Sequence, residues 1–335
     1  KQVEAYARQA RLLRLADDKE KADALMGQLR RAAPDAVAAL LAVNRYYRET
    51  GRAAEAQADI ERAVQLAPDA AEVRHEAALH ELSQGHLRAA DEHVRAGLSK
   101  NGDYLPLVKL RVELEKRAGQ ARSRDARELA KNTLKLLDDN PRKTADVLEL
   151  LIDVEELALA RDVLAGPKND WLPGHVRDFL EARLKIAEED YVRARELLER
   201  CRAQLAPAPE FARYAHLLLG VCQRRLGNAD QAARSFRTAL DITPAWIPAQ
   251  LELAAANIER GQADEALTIY RKLMPQVPET RLIVARLLLD DIKRRAPELR
   301  EWTSIEELLK NSPPEQRKSG EWRLVRNEML LAQGK

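Results

Sequence analysis

Apolar and small residues return at a fixed pitch along this chain, in segments with helical spacing. Tyr214, Leu218, Leu219 and Gly220 precede Gly227, which is followed by Ala232, Phe236, Ala239 and Pro244. One pitch later the series returns as Leu253, Ala254, Gly261, Ala266, Tyr270 and Pro278. Nearer the start, Tyr47, Gly51, Ala56, Ile60, Ala63 and Pro68 are followed by Gly85, Ala90, Val94, Gly97 and Gly102. The pitch is 34 residues, since 68 minus 34, 102 minus 68 and 278 minus 244 all give that number for Pro34, Pro68, Gly102, Pro244 and Pro278. Within each pitch, apolar residues at i, i+3, i+4 and i+7 predict a first helix, a turn at Gly51, Gly85, Gly227 or Gly261, and a second helix. The turn glycines supply a positive φ without Cβ strain. Pro68, Pro244 and Pro278 stop the second helices, because proline lacks an N–H and pushes its predecessor out of the α region. No stretch alternates with period two, so no sheet is expected. One helix pair is too small to bury its own apolar face, so the pairs must stack into an all-α array.

The set Leu219, Gly220, Gly227, Ala232, Phe236, Ala239 and Pro244 resembles the tetratricopeptide repeat. The resemblance implies an α-solenoid of about nine stacked helix-turn-helix repeats wound into a right-handed superhelix. Other parts follow the pattern less closely. A first repeat runs to Pro34 with Ala22, Met26 and Leu29 inward. A fourth carries an insertion near Arg122 to Arg127 before closing at Pro141, and a short fifth, with Ala160 and Leu164, ends in Gly166, Pro167, Asn169, Pro173 and Gly174. The sixth has Ala194, Leu198 and Cys201 and leaves through Pro207 and Pro209; the ninth is loose around Leu287 and Pro297 and resumes at Ile305 and Leu309. The array divides into an N-terminal part, 1–165, and a C-terminal part, 166–335, within one continuous solenoid. A final helix with Trp322, Val325 and Met329 on one face ends the sequence, which is expected to be a piece of a longer array.

Charged residues make up 33% of the chain, yet the signs are interspersed and the net charge is only +2, which argues against nucleic acid or a membrane surface as the partner. No run of apolar residues is long enough to span a bilayer. The expectation is a soluble protein of cytoplasm or periplasm, and the Arg- and Ala-rich wording is of a bacterial kind.

Catalytic and metal-binding candidates are few. His75 and His80, with Glu76 between them, approach the H-E-x-x-H zinc helix, but the second histidine is one residue late and turns away from the first. His86 and His93 add no closed ligand set, so metal and cofactor are expected to be absent. Cys201 and Cys222 read as small buried hydrophobes and not as a disulfide. No serine or cysteine is read as a nucleophile paired with a histidine base, so no catalysis is expected.

The family resemblance places a ligand groove on the concave face, lined by the first helix of each repeat. The residues falling there are Arg11, Arg14, Arg45, Arg48, His75, Leu79, Leu82, Lys109 and Lys116, followed by Leu148, Ile152, Phe179, Arg183 and Ile186, then Tyr214, Leu217, Val221, Arg224, Leu251 and Ile258. An arginine mouth and an apolar floor suit a peptide or partner helix with acidic and hydrophobic anchors. The Lys and Asn clamp of the chaperone-binding members is not expected, because its places hold Ala7 and Arg11, Leu41 and Arg45, and His75 and Leu79. The resulting expectation is a protein-binding scaffold without chemistry of its own. Two other readings are a substrate-recruiting arm of an enzyme, such as a glycosyltransferase, kinase or protease regulator, and an envelope factor of polysaccharide export.

Overall fold

The computed structural model describes residues 2–118, 123–137, 140–166 and 172–334, and every described regular element is helical. Arg122, Pro167, Asn169 and Lys335 lie outside the described residues. Two compact units divide the chain, Lys1–Leu172 and Pro173–Lys335.

In the N-terminal unit the helices are α1 Gln2–Leu15, α2 Lys19–Ala32, α3 Val37–Glu49, α4 Gln57–Leu66, α5 Ala71–Ser83, α6 Leu87–Lys100, α7 Leu105–Arg117, α8 Arg124–Asn132, α9 Pro141–Asp153 and α10 Leu157–Ala165. Short 3-10 turns, Ala53–Ala56 and Thr133–Leu136, open α4 and close α8. The C-terminal unit has α11 Gly174–Ala187, α12 Tyr191–Leu205, α13 Pro209–Arg225, α14 Ala229–Ile242, α15 Ile247–Glu259, α16 Ala263–Leu273, α17 Thr280–Arg294, α18 Thr303–Lys310, α19 Pro314–Lys318 and α20 Gly320–Ala332. The ninth repeat is therefore broken, with a 3-10 turn at Pro297–Leu299 and the short helices α18 and α19 before α20 packs back on α17. Pro141 and Pro209 open first helices, where the missing N–H would be unpaired anyway, and Pro141 does not close the repeat before it.

The turns inside the pairs share one geometry. Gly51, Gly85, Gly227 and Gly261 sit at φ between 74° and 83°, and Asp17, Glu155 and Glu189 take the same left-handed place at φ 58°, 60° and 62°. In each turn the next residue donates its N–H back to the first helix, as in Arg52 to Tyr47, Asn228 to Gln223 and Asp190 to Lys185, which satisfies a carbonyl at the helix end. Glycine is thus the cheapest occupant of the turn and not its only one.

At two joints, one within a pair and one that reaches the next pair, a glycine on one helix receives a large side chain from another. A Cβ on Gly220 would collide with the Phe236 ring, and one on Gly97 would meet Leu107 and Arg74. Ala232, Ala266, Phe236 and Met26 are fully buried. Successive first helices also touch, α1 with α3, α3 with α5, α5 with α7 and α7 with α9 in one unit, and α11 with α13 and α13 with α15 in the other. Successive second helices make no comparable contact among the described residues, so each stack curves toward its first-helix layer.

Candidate binding surface

The cations expected at the groove are mostly held by acids of the neighbouring first helix. Arg45 and Arg48 on α3 close on Glu76 of α5, with Arg45 Nη2 2.5 Å from Oε1 and Arg48 Nη2 2.8 Å from Oε2. Lys109 on α7 reaches Asp146 at 2.7 Å and Glu149 at 3.1 Å on α9, and Lys116 reaches Asp153 at 3.2 Å. On α13, Arg224 spans Glu252 at 3.0 Å and Glu259 at 2.9 Å of α15. Glu76 is almost wholly buried between its two guanidiniums, whereas the Lys116 pair is solvent-washed and adds little stability. This ladder zips first helices together and spends positive charge that the sequence seemed to offer a ligand.

Two clefts open on this face of the N-terminal unit. One, about 680 Å³, lies between α1 and α3 and brings Arg11, Arg14 and Arg45 together with Arg8, Tyr46 and Glu49. Arg8 and Arg11 are exposed and have no side-chain partner among the described residues, while Arg14 lies over the Tyr46 ring, 6.0 Å from its centroid. The other, about 470 Å³, gathers His75, Lys109, Leu110, Asp146, Leu150 and Asp153 from α5, α7 and α9. His75 stacks edge-on against Tyr104, and burial lowers its pKa. Leu79 and Leu82 pack toward the core around Ala78 and Val94, and Leu148 and Ile152 are buried.

In the C-terminal unit the expected apolar floor is largely core. Phe179 is buried among Leu198, Cys201 and Leu219, Leu217 packs on Phe236, Val221 lines the same cluster, and Leu251 is partly covered beside Tyr270. Arg183 and Ile186 are partly exposed on α11. On α13 and α15 the large apolar side chains that reach solvent are Tyr214, 44% exposed, Ile258, 38%, and Phe211, 48%. Tyr214 packs on Trp246 at 5.0 Å between centroids, Arg213 lies 5.0 Å over the Trp246 ring, and Phe211 meets Phe179 edge-on at 6.0 Å. Phe211, Trp246 and Arg8 were not singled out in the sequence, and Glu76 was read there only as part of an imperfect zinc helix. Phe211, one helical turn before Tyr214, carried the signal for the aromatic patch, and Glu76, 28 and 31 residues after Arg48 and Arg45, carried it for the ion pairs.

The histidines go to separate local partners: His80 to Asn44 and Gln57, His86 to Glu81, and His93 to Arg74. Cys201 and Cys222 are free and share one core cluster, where burial pushes their thiols up to about 11 and about 12. Among the described residues no helix is long and apolar enough to cross a membrane.

Two tetratricopeptide-repeat family models match the chain, at residues 224–289 and 45–70. No curated protein matches it significantly. Among solved structures it is similar to the human IFIT1 dimer with m7Gppp-AAAA, at 14% identity and a TM-score of 0.60 over 99% of this chain and 82% of that one. It is also similar to the APC/C hetero-tetramer Cut9-Hcn1, at 11% identity and a TM-score of 0.53 over 83% of this chain and 54% of that one. A tetratricopeptide repeat protein from Parabacteroides merdae gives 12% identity and a TM-score of 0.51, covering 82% of this chain and 97% of that one. At these identities the likeness is one of fold, and it agrees with the paired helices, left-handed turns and small-into-large packing. The chain carries tetratricopeptide repeats at the matched residues.

Proposed function

We propose that the chain is a protein-interaction scaffold whose first-helix faces receive an extended segment of a partner protein. The observation that carries this reading is where unsatisfied surface remains. Arg45, Arg48, Lys109, Lys116 and Arg224 are tied to carboxylates, yet among the described residues α1 keeps Arg8 and Arg11 unpartnered beside one cleft, Arg142 of α9 is exposed at the other, and α13 and α15 keep Tyr214 and Ile258 exposed. Exposed aromatics beside arginine are the side chains that most often anchor an interface. The scaffold itself performs no chemistry in this reading; serving as the recruiting arm of an enzyme or in envelope assembly are particular uses of the same surface.

RNA is the second reading, because the similar IFIT1 structure contains m7Gppp-AAAA and the α1–α3 cleft is arginine-lined. Against it stands the electrostatics: a net charge of +2, with first-helix arginines and lysines already bound to carboxylates, gives little counterion release.

Site-specific photo-crosslinking tests the reading. Probes replacing Arg11 and Tyr214 on first helices should capture the same partner protein, and probes replacing the exposed Arg95 and Arg237 on second helices should not. With that partner in hand, Tyr214→Ala combined with Ile258→Ala should speed dissociation by about tenfold or more. Capture from the second-helix positions alone would overturn the assignment.

A further inference from the structure

Glu76 shows what a bound carboxylate looks like in this fold, and the repeat tells where a second one belongs. Subtracting 34 from 45, 48 and 76 gives 11, 14 and 42. Arg11 and Arg14 therefore stand on α1 as Arg45 and Arg48 stand on α3, but the place of Glu76 is taken by Ala42. One joint supplies its own carboxylate, through Arg45 Nε at 3.1 Å and Nη2 at 2.5 Å from Oε1 and Arg48 Nη2 at 2.8 Å from Oε2. The other keeps the cleft of about 680 Å³ in which Ala42 is flanked by Arg8, Arg11, Arg14 and Arg45.

Nearby acids do not take the missing role. Asp23 is bound by Arg52 at 2.6 and 2.8 Å and accepts the Tyr46 hydroxyl, although it also feels the charge of Arg14. Glu49 sits at the rim and forms no ion pair with the α1 arginines among the described residues. The cleft thus keeps an excess of guanidinium groups, with aliphatic surface in its lining: Leu15 is 78% exposed.

We propose that the α1–α3 cleft binds an acidic segment of a partner protein, with Arg11 and Arg14 holding an Asp or Glu carboxylate as Arg45 and Arg48 hold that of Glu76. The inference rests on the first-helix reading of the interaction face and names the chemistry of its anchor. Charge complementarity selects the acid. The aliphatic surface at Leu15 favours an apolar residue beside the acid, and so a peptide over the uniformly charged backbone of a nucleic acid.

The test uses the whole chain and a short fluorescent peptide of glutamates interspersed with leucines, with glutamine in place of glutamate as its control, read by anisotropy. The glutamate peptide should bind about tenfold or more tightly than the glutamine peptide, and added salt should weaken it. Ala42→Glu installs the carboxylate from within and should cost about tenfold or more in affinity, while Ala42→Gln, equal in size and uncharged, should keep most of the binding. Arg8→Gln with Arg11→Gln, both at exposed positions that folding does not need, should match the loss in Ala42→Glu. Equal binding of the two peptides, or an Ala42→Glu variant that binds like the parent, overturns the proposal. If binding survives Ala42→Glu but is lost in Phe211→Ala with Tyr214→Ala, the first-helix face stands and the carboxylate anchor falls. If it survives both and is lost only on second-helix substitutions, the first-helix reading falls too. An oligoadenylate that displaces the peptide from the parent and not from Ala42→Glu reassigns the cleft to nucleic acid and overturns the peptide.

Discussion

Gly220 and Asn44 hold the same register in their repeats, since 227 minus 220 and 51 minus 44 both give 7 to the left-handed glycine of the turn, yet the joints built on them are opposites. At Gly220 the fully buried Phe236 ring presses on bare backbone, and Leu217, Ala232, Ala233, Ala249 and Leu253 complete a dry cluster. At Asn44 the joint is polar. Asn44 Nδ2 lies 2.6 Å from His80 Nδ1, His80 Nε2 lies 2.7 Å from Gln57 Oε1, and the Gln84 amide donates to that same oxygen at 3.1 Å. Both Asn44 and His80 are wholly buried. The dry joint holds α13, α14 and α15 by shape, and the polar one holds α3, α5 and the start of α4 by directional bonds. Stacked pairs require that the position be filled without voids or orphaned donors, and they accept either solution.

Phe236→Ala should be the most damaging change, because it leaves a ring-sized cavity against a glycine that cannot fill it; the expected loss is about 3 to 5 kcal/mol. Chemical denaturation read by circular dichroism checks this, and a loss below that of an ordinary surface change would mean the joint collapses freely. Next comes Gly220→Ala. The added methyl must displace the buried ring, at a cost of about 1 to 3 kcal/mol, although alanine is otherwise the better helix former. A stabilised Gly220→Ala would show that helix propensity outweighs shape here and would remove the contrast with Asn44.

The polar joint answers to different changes. Asn44→Ala removes a hydrogen bond to His80, but it also removes Asn44 Oδ1, which is buried without a partner. The two effects oppose, so the net cost should be about 1 kcal/mol, below that of either change at the dry joint. His80→Leu should cost more than Asn44→Ala, since it orphans the Asn44 amide and strips a partner from Gln57 together. A double-mutant cycle between Asn44 and His80 measures the coupling, and strict additivity would mean the network is not cooperative.

The fold was legible because the residues that matter to it are rare and conformationally extreme. Prolines ending second helices and glycines in left-handed turns fix the pitch, and Ala232, Ala266, Phe236 and Tyr270 fix the register. Asp17, Glu155 and Glu189 hid the same turn in three other repeats, because an acidic residue on a surface turn carries no signal of its own. The binding face was legible only in outline. Phe179 and Leu217 lie on first helices as expected, but a first helix also faces its own second helix, and their side chains turn that way. Arg45, Arg48, Lys109 and Arg224 looked like free charge because their partners lie about one repeat further on, where pattern reading along a single helix does not search.

The smallest effect separates the two joints by acidity. Burial lowers the pKa of His80 below its ordinary value of about 6.5, with Arg48 and His86 pushing the same way and Glu81 and Glu61 opposing. The neutral ring accepts from Asn44 at Nδ1 and donates from Nε2 to Gln57. Because the folded pKa lies below the unfolded one, the unfolded chain takes up the proton first as pH falls. The stability that the neutral ring contributes is complete above about 6.5, drains away below it, and levels off once the folded form is also protonated. His75 and His93 in the same unit, and His216 on α13, shift in the same direction, so acid sensitivity of the whole chain would not single out His80. Amide hydrogen exchange resolves it locally. Between neutral pH and pH 5, after correction for the intrinsic rate, α3 and α5 should lose protection more than α14, which carries no histidine. His80→Gln, which cannot titrate, should reduce that difference. Equal loss at both joints, or a His80→Gln variant with the parent's pH profile, would place the acid sensitivity elsewhere.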